Sequence, residues 1–188
     1  MKPDLFSILT PDAYSDMMSN MTRLYYGPEE TVVKQDTRTK QMYLVEEGCM
    51  MVSRMANGVE NTIRFVGPGD GQMAMCDFTG TGINPFEYRT LTKCIIYVLD
   101  FDNLRLLMER HQSVVLFFNK LLVDVMTKLE NHFVDFDNSN ALSLYTRLAR
   151  SRPDLIKIVP PKYLAQYLKM RLETFYRIRR EYISSGKN

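Results

Sequence analysis

The spacing of apolar residues divides the chain into a region of short strands and a region of helices. Between residues 24 and 99, short runs of β-branched and aromatic residues alternate with turn signals. The predicted strands are 31–34, 42–45, 50–53, 61–66 and 94–99. Glycine-containing turns such as Glu47-Gly48 and Asn57-Gly58 separate them, and this arrangement is typical of a β-sandwich or barrel. Residues 1–23 are predicted to form one or two short helices, with Thr10 as a cap.

Beyond residue 101 the apolar residues recur at helical steps of three and four. A short helix is predicted over 102–111 and a long one over 113–137. The long helix carries a coiled-coil stripe formed by Val115, Phe118, Leu122, Val125, Leu129, His132 and Phe136. A second stripe beside it contains Val114, Phe117, Leu121 and Met126. One stripe can face the β-region and the other a second copy of the chain; the alternative is a helix buried wholly in its own chain.

The C-terminal region is predicted to consist of helices, with a break at Arg152-Pro153-Asp154. The polar run 136–140 is predicted to be a hinge, and a helix is predicted over 141–151. Residues 159–182 are predicted to form two short helices joined by a tight turn, because Pro160-Pro161 suits a helix start and small Ala165 allows a close crossing. This is the pattern of a helix-turn-helix.

The polar face of the second helix carries side chains that suit DNA. Glu173, Thr174, Arg177 and Arg180 lie there; Arg pairs bidentately with guanine, and Glu accepts a hydrogen bond from cytosine. The plainer alternative is a solvated amphipathic helix that ends a domain.

The charge is unevenly distributed although the formal net charge is only +2. Residues 141–188 contain eleven Lys and Arg against three Asp and Glu, whereas residues 1–140 contain thirteen against nineteen. An acidic body with a basic C-terminal quarter predicts one domain that meets nucleic acid and one that does not.

The remaining chemistry in the sequence points away from several classes of protein. Cys49, Cys76 and Cys94 are far apart, so their spacing matches neither a zinc finger nor an iron–sulfur cluster, and reduced thiols are expected. No nucleophile–base pair, P-loop or metal motif predicts an enzyme. The start of the chain lacks the features of a signal peptide, and no apolar run is long enough to span a membrane. We therefore expect a cytoplasmic protein that is neither an enzyme nor membrane-bound.

Four segments resemble the Crp/Fnr family of bacterial transcription regulators. ETFYRIRRE preceded by KYLAQYL resembles the family's helix-turn-helix, while MYLVEEG, FVGPGD and TLTKCIIYVLDFDNL resemble successive signatures of its cyclic-nucleotide-binding β-roll. The resemblance implies an α+β fold: a jelly-roll-like β-roll with N-terminal helices over 1–112, a dimerisation helix over 113–137 and an all-α helix-turn-helix domain over 138–188. It implies that the coiled-coil stripe is the dimer seam, and the wing hairpin that many members carry is not expected here.

The resemblance also assigns DNA contacts. Glu173, Thr174 and Arg177 match the family's base-reading pattern, and Arg171 is an additional candidate for a base contact. The phosphate contacts are expected from Lys162, Tyr176 and Arg180. Two positions depart from the family. Lys169 occupies a turn position that usually holds Gly, and Arg171 occupies a helix start that usually holds Ser or Thr; each change is expected to cost about 1 kcal/mol.

The family's cyclic-nucleotide cassette is missing its polar residues. Alignment without gaps places Met73-Ala74 where Gly-Glu belongs and Asn84-Pro85 where Arg-Ser belongs. An uncompensated phosphate buried in a β-roll would be costly, so cyclic AMP is not expected to bind and no cofactor is predicted. Met73, Ala74, Asn84 and Arg89 remain a candidate pocket for a different ligand, and a packed core is the alternative. His111 and His132 are candidate haem ligands only by count, and structural roles are expected for both; His132 is also a candidate pH-sensitive position within the dimer stripe.

Together these features predict a DNA-binding regulator that acts as a homodimer on a palindromic operator, with RNA polymerase as a further candidate partner. The alternative is a ligand-sensing or protein-interaction module whose helix-turn-helix no longer reads DNA specifically.

Overall fold

The structure is a computed structural model that describes residues 6–138 and 140–185, with backbone only for 132–138. The side chains of His132 and Phe136, and residue Ser139 of the predicted hinge, therefore lie outside the described part. The strands are β1 (Thr22–Tyr26), β2 (Thr31–Val33), β3 (Gln41–Glu47), β4 (Met50–Ala56), β5 (Val59–Val66), β6 (Gly71–Met73), β7 (Glu87–Thr90) and β8 (Cys94–Asp100). The helices are α1 (Pro11–Ser19), α2 (Met75–Thr79), α3 (Phe101–Arg110), α4 (Gln112–Asn138), α5 (Ala141–Ser151), α6 (Pro153–Ile158), α7 (Pro161–Tyr167) and α8 (Leu172–Ser184).

The strands form two four-stranded antiparallel sheets that enclose a core. Their orders are β1-β8-β3-β6 (sheet A) and β2-β7-β4-β5 (sheet B). Both sheets contribute to one buried cluster, in which the Tyr43 and Tyr88 rings meet edge to face at 5.8 Å. Gly48 turns the chain between β3 and β4 at φ +87, where a Cβ would lie 2.2 Å from the Lys93 carbonyl oxygen. The predicted β-roll is confirmed.

Three strands and two helices differ from the sequence prediction. β1 begins within the last two residues of the predicted N-terminal helices and continues over 24–26, where no strand was predicted, while β6, β7 and α2 are short and were not predicted. α6 follows the predicted break because Pro153 occupies the first helical position, where its missing N–H costs nothing. The cap at Thr10 is as predicted, since its hydroxyl accepts a hydrogen bond from the Ala13 N–H at 3.4 Å.

A second core lies between sheet A and the helices α1, α3 and α4. Val114, Phe117, Phe118 and Leu121 of α4 are all buried in this cluster, and Phe118 packs on Phe78 at 5.2 Å. Phe118 was predicted to lie in the dimer seam, but its side chain is buried in the core of its own chain. Among the described side chains of α4, the exposed large apolar ones are instead Leu116, Val123 and Met126, at 46%, 62% and 59% exposure.

A third core joins the C-terminal helices to the outer face of sheet B. Met51 and Phe65 of the sheet are buried in the same cluster as Tyr145, Leu164 and Phe175 of the helices. The first four residues of β4 are buried in succession, which is expected for a strand that is covered on both faces. The helix-turn-helix is thus packed directly on the β-roll.

Candidate nucleic-acid interface and sensor pocket

The helix pair α7–α8 is held together by an aromatic core. Phe175, Ile178 and Tyr182 recur along α8 and are buried, as their spacing predicts. The Tyr145 ring of α5 meets Phe175 at 5.5 Å and Tyr182 at 5.3 Å. Ala165 is 2% exposed, in agreement with its predicted position at a close helix crossing.

The turn between α7 and α8 contains the two residues that depart from the Crp/Fnr pattern, Lys169 and Arg171, in the positions predicted for them. Lys169 lies in the left-handed region at φ +53, where a Cβ is unfavourable and Gly is preferred. Arg171 is the N-cap of α8 with an extended backbone, and its side chain makes no capping hydrogen bond. Two backbone hydrogen bonds close the turn. The Lys169 N–H donates to the Gln166 carbonyl oxygen at 3.0 Å, and the Met170 N–H donates to the Ala165 carbonyl oxygen at 3.0 Å.

The opposite face of α8 is exposed and carries two arginines. Glu173, Tyr176, Arg177 and Arg180 are exposed at positions i, i+3, i+4 and i+7, so they share one face of the helix. Arg177 has an exposed carboxylate neighbour, Glu181, at 3.8 Å.

The other candidate DNA contacts lie elsewhere on α8 and on α7. Arg171 is exposed at the start of α8, and Thr174 is half-buried one position after Glu173. Lys162 is exposed at the start of α7, where its Nζ lies 4.4 Å from the centroid of the Tyr163 ring. The candidate base and phosphate contacts are therefore solvent-facing, except for Thr174, which is only partly so.

Asn84 is a buried residue of the β-roll whose side-chain amide forms hydrogen bonds within the protein. It is fully buried, donates to the Phe86 carbonyl at 2.7 Å and accepts from the Tyr88 hydroxyl at 3.4 Å. Gln72 donates to the same hydroxyl at 3.1 Å, and burial raises the pKa of Tyr88 to about 12. Asn84 is therefore hydrogen-bonded to the protein itself, as a buried polar side chain must be.

The other candidate pocket residues do not converge with Asn84 on one site. Met73 and Ala74 are buried where β6 leads into α2, and Ala74 caps α2 without a side-chain hydrogen bond. Arg89 follows the inward-facing Tyr88 and lies on the outer face of sheet B, where it pairs with Glu60 and with Glu87 at 3.5 Å. Its guanidinium also lies 5.7 Å from the Tyr163 ring of α7. Arg89 thus belongs to the contact between sheet B and α7.

The docking of α7 on β5 is a feature that the sequence prediction missed. The Thr62 hydroxyl donates to Gln166 at 3.0 Å, and the Phe65 and Tyr167 rings meet at 5.2 Å. A sequence signal was present, because the continuous apolar start of β4 does not alternate as a half-exposed strand would.

The described residues show neither a cluster of metal ligands nor a membrane-spanning helix. They contain no group of three or more His, Cys, Asp or Glu side chains that could hold a metal ion. None of their helices combines the length and apolar character needed to cross a bilayer. The three cysteines are free thiols, and burial raises the pKa of Cys49 to about 12, which keeps it protonated and unreactive.

Comparison with known proteins agrees with this architecture. Residues 23–111 match the family model of the cyclic nucleotide-binding domain. A CooA mutant from Carboxydothermus hydrogenoformans is similar over 99% of this chain and 87% of its own, with 16% identity and a TM-score of 0.74. The chain has the Crp/Fnr fold.

Two further structures share the Crp/Fnr fold with this chain. FixK2 from Bradyrhizobium japonicum matches 88% of the chain and 86% of its own, with 15% identity and a TM-score of 0.73. The c-di-GMP responsive global regulator CLP from Xanthomonas campestris matches 94% and 93%, with 15% identity and a TM-score of 0.72. No curated protein matches the chain in sequence. At these identities the likeness concerns the fold, and the Crp/Fnr fold accounts for both the β-roll and the helix pair.

Proposed function

We propose that this protein is a transcription regulator that binds an operator in double-stranded DNA through α8. The observation that carries the proposal is the exposed face of Glu173, Tyr176, Arg177 and Arg180, which is backed by a packed aromatic core. A rigid helix with an exposed polar face can enter the major groove, and its base-edge contacts then determine sequence preference. The shared fold of the named regulators supports the same role.

The proposal includes a division of labour between base and phosphate contacts. Arg171, Glu173, Thr174 and Arg177 read bases, whereas Lys162, Tyr176 and Arg180 contact phosphates. Arg177→Ala should therefore reduce operator affinity by about 1–3 kcal/mol and relax the sequence preference. Lys162→Ala should weaken operator and random DNA alike and reduce the salt slope by about 1.

The test selects an operator from random duplexes and measures the affinity of each variant for operator and random DNA at two salt concentrations. Arg54→Ala, an exposed arginine on β4, is the matched control for loss of one positive charge. Equal losses on both DNA types for Arg177→Ala and Lys162→Ala would contradict the division of roles. Failure of the wild type to prefer any sequence would favour the alternative module, which the left-handed Lys169 and the uncapped Arg171 support.

The operator is proposed to be palindromic because α4 offers a face for a second copy. Leu116, Val123 and Met126 are exposed on this helix, and Val115 and Leu122 beside them are half-exposed. Burying such side chains between two chains would stabilise a dimer, and helix-turn-helix dimers read half-sites about one helical turn apart.

The regulator is proposed not to respond to cyclic AMP. Ala74 offers no acceptor for a ribose hydroxyl, and both polar atoms of the Asn84 amide are already hydrogen-bonded within the protein. Addition of micromolar cyclic AMP should therefore leave the melting temperature unchanged. A rise of several degrees would overturn this part of the proposal.

A further inference from the structure

A cleft of about 480 Å³ lies where the β-roll, the long helix α4 and the C-terminal helices meet. Arg64 and Phe65 of β5 form one wall, and Lys128 of α4 stands on another. Leu148 of α5 and Tyr167 of α7 line the third. The volume falls within the range of about 300–1,000 Å³ that is usual for small-molecule sites.

The charged lining of the cleft is entirely cationic among the described residues: Arg64, Lys128, Arg147 and Arg152. Two of these cations share the buried carboxylate of Asp70, with Lys128 at 2.8 Å and Arg152 at 3.4 Å. Lys128 also contacts Asp124, and Arg152 contacts Asp154 at 3.1 Å. Ion pairs with these aspartates hold the Lys128 and Arg152 side chains in place.

Arg64 differs from Lys128 and Arg152 in its partner. Its Nη2 donates to the Gly71 carbonyl at 3.3 Å, and among the described residues no carboxylate oxygen comes within salt-bridge distance of it. Burial lowers the pKa of this guanidinium, because its positive charge has lost water and the charges of Asp70 and Asp124 offset only part of that effect. A half-buried guanidinium on a cleft wall is well placed to accept an anion from solvent.

The rest of the lining is largely apolar. Phe65, Leu144, Leu148 and Leu155 are buried leucine and phenylalanine side chains that face the cleft together with the ring of Tyr167. Apolar walls with a few placed polar groups are the usual composition of a site for a small organic molecule. A bare inorganic ion would leave these walls without a partner.

We propose that this interdomain cleft binds a small organic anion with an apolar or aromatic body, and that Arg64 is its anion contact. The site is separate from the interior of the β-roll, where Asn84 and Tyr88 are bonded to each other. Binding itself does not depend on the DNA-binding function. A regulatory effect of binding rests on the proposed function, because a ligand in contact with β5, α4 and α7 would favour one placement of the helix pair and thereby change operator affinity.

The test uses anilinonaphthalene sulfonate, an aromatic anion whose fluorescence reports binding. The natural chain contains no tryptophan, so one placed on the cleft wall by Tyr167→Trp provides a local donor for energy transfer to this probe. Tyr25→Trp places the same donor on exposed β1 and serves as its control. The titration is carried out without DNA, so its outcome is independent of the proposed function.

The charge dependence is tested by adding Arg64→Met to the Tyr167→Trp variant. Methionine keeps much of the apolar stem of the arginine and removes its charged head. Arg54→Met on the neighbouring strand is the matched control. We expect transfer that saturates at one probe per chain, an affinity at least tenfold weaker with Arg64→Met, and no change with Arg54→Met. Equal affinity in the Arg64→Met and Arg54→Met proteins, or equally strong transfer from Tyr25→Trp, would overturn the proposal.

If the cleft site is established in this way, operator binding is measured with and without the probe. A shift in operator affinity that Arg64→Met abolishes would support a regulatory effect of the ligand. Probe binding without such a shift would leave the site in place and remove the regulatory role. Absence of operator binding altogether would count against the proposed function and not against the cleft.

Discussion

The hydroxyl of Thr62 on β5 donates a hydrogen bond to Oε1 of Gln166 on α7 at 3.0 Å. Thr62 is 1% exposed and Gln166 is half-buried, so this partly buried bond joins sheet B to the helix-turn-helix. Thr62→Val keeps the shape but removes the donor, and we expect it to reduce the free energy of unfolding by about 1 kcal/mol. Urea denaturation of Thr62→Val, Gln166→Leu and the double variant measures the coupling. Strict additivity would show that the bond does not contribute.

Asp70 should give the protein a distinctive acid sensitivity. Burial alone would raise the pKa of Asp70, but hydrogen bonding and charge from Lys128, with Arg152 and the Gly67 N–H, lower it below its usual value. Because the folded pKa is depressed, the stabilisation is complete above the unfolded pKa of about 4 and is lost as the pH falls through the folded value.

Asp70→Asn should therefore cost about 2 kcal/mol at pH 6, and the difference from wild type should shrink below about pH 4. Denaturation at a series of pH values checks both statements. Asp102→Asn, at a carboxylate whose side chain is 85% exposed, is the control and should change little. A deficit for Asp70→Asn that stays constant down to pH 2.5 would contradict the ion-pair explanation.

Lys169→Gly should stabilise the fold. The residue is held at φ +53, and removing its Cβ relieves a strain of about 1 kcal/mol. Lys169→Ala removes the same charge but retains the Cβ, so it should not stabilise. Thermal unfolding of the two variants distinguishes backbone relief from a charge effect, which would stabilise both equally.

Arg171→Thr should separate stability from DNA affinity. A threonine at this N-cap can accept a hydrogen bond from an N–H of the first turn of α8 and should add about 1 kcal/mol of stability. The same change removes a proposed base contact, so operator affinity should fall. Arg171→Ala should lose affinity without gaining stability. A Thr variant that matches the wild type in both measurements would contradict both roles of Arg171.

The proposed dimer is tested on the exposed face of α4. Val123→Lys places a charge among the apolar side chains that a second copy would cover, so sedimentation should shift toward monomer at micromolar concentration. Leu106→Lys, at a leucine of α3 that is 49% exposed, is the control and should leave the oligomeric state unchanged. Identical sedimentation of wild type and Val123→Lys would place the contact elsewhere or exclude it.

The sequence was informative where a residue's role depends on its neighbours along the chain. Helical spacing located α5 and the buried residues of α8, and the non-glycine Lys169 was correctly predicted to occupy a turn. Three-residue β6 is too short to carry a periodic pattern, and β1 exposes four of its five residues, so neither has a clear apolar signal.

Contacts between distant segments were much less predictable. Phe118 was assigned to a dimer face because two apolar stripes run side by side on α4, and spacing alone does not say which stripe the β-roll covers. Arg89 was assigned to a pocket, although three carboxylates and α7 surround it. Both positions depend on tertiary packing between elements far apart in sequence.

The seven-residue helix α7 touches sheet B on one side and α8 on another. Under the proposed function, a signal from a ligand in the cleft to the operator would cross only the width of a single helix, about 10 Å. Changes in side-chain size at Thr62 or Phe65 would alter the packing beneath α7 while every proposed base contact stays the same. The response to a ligand would then diverge through the strand beneath α7, and the choice of operator through the solvent face of α8.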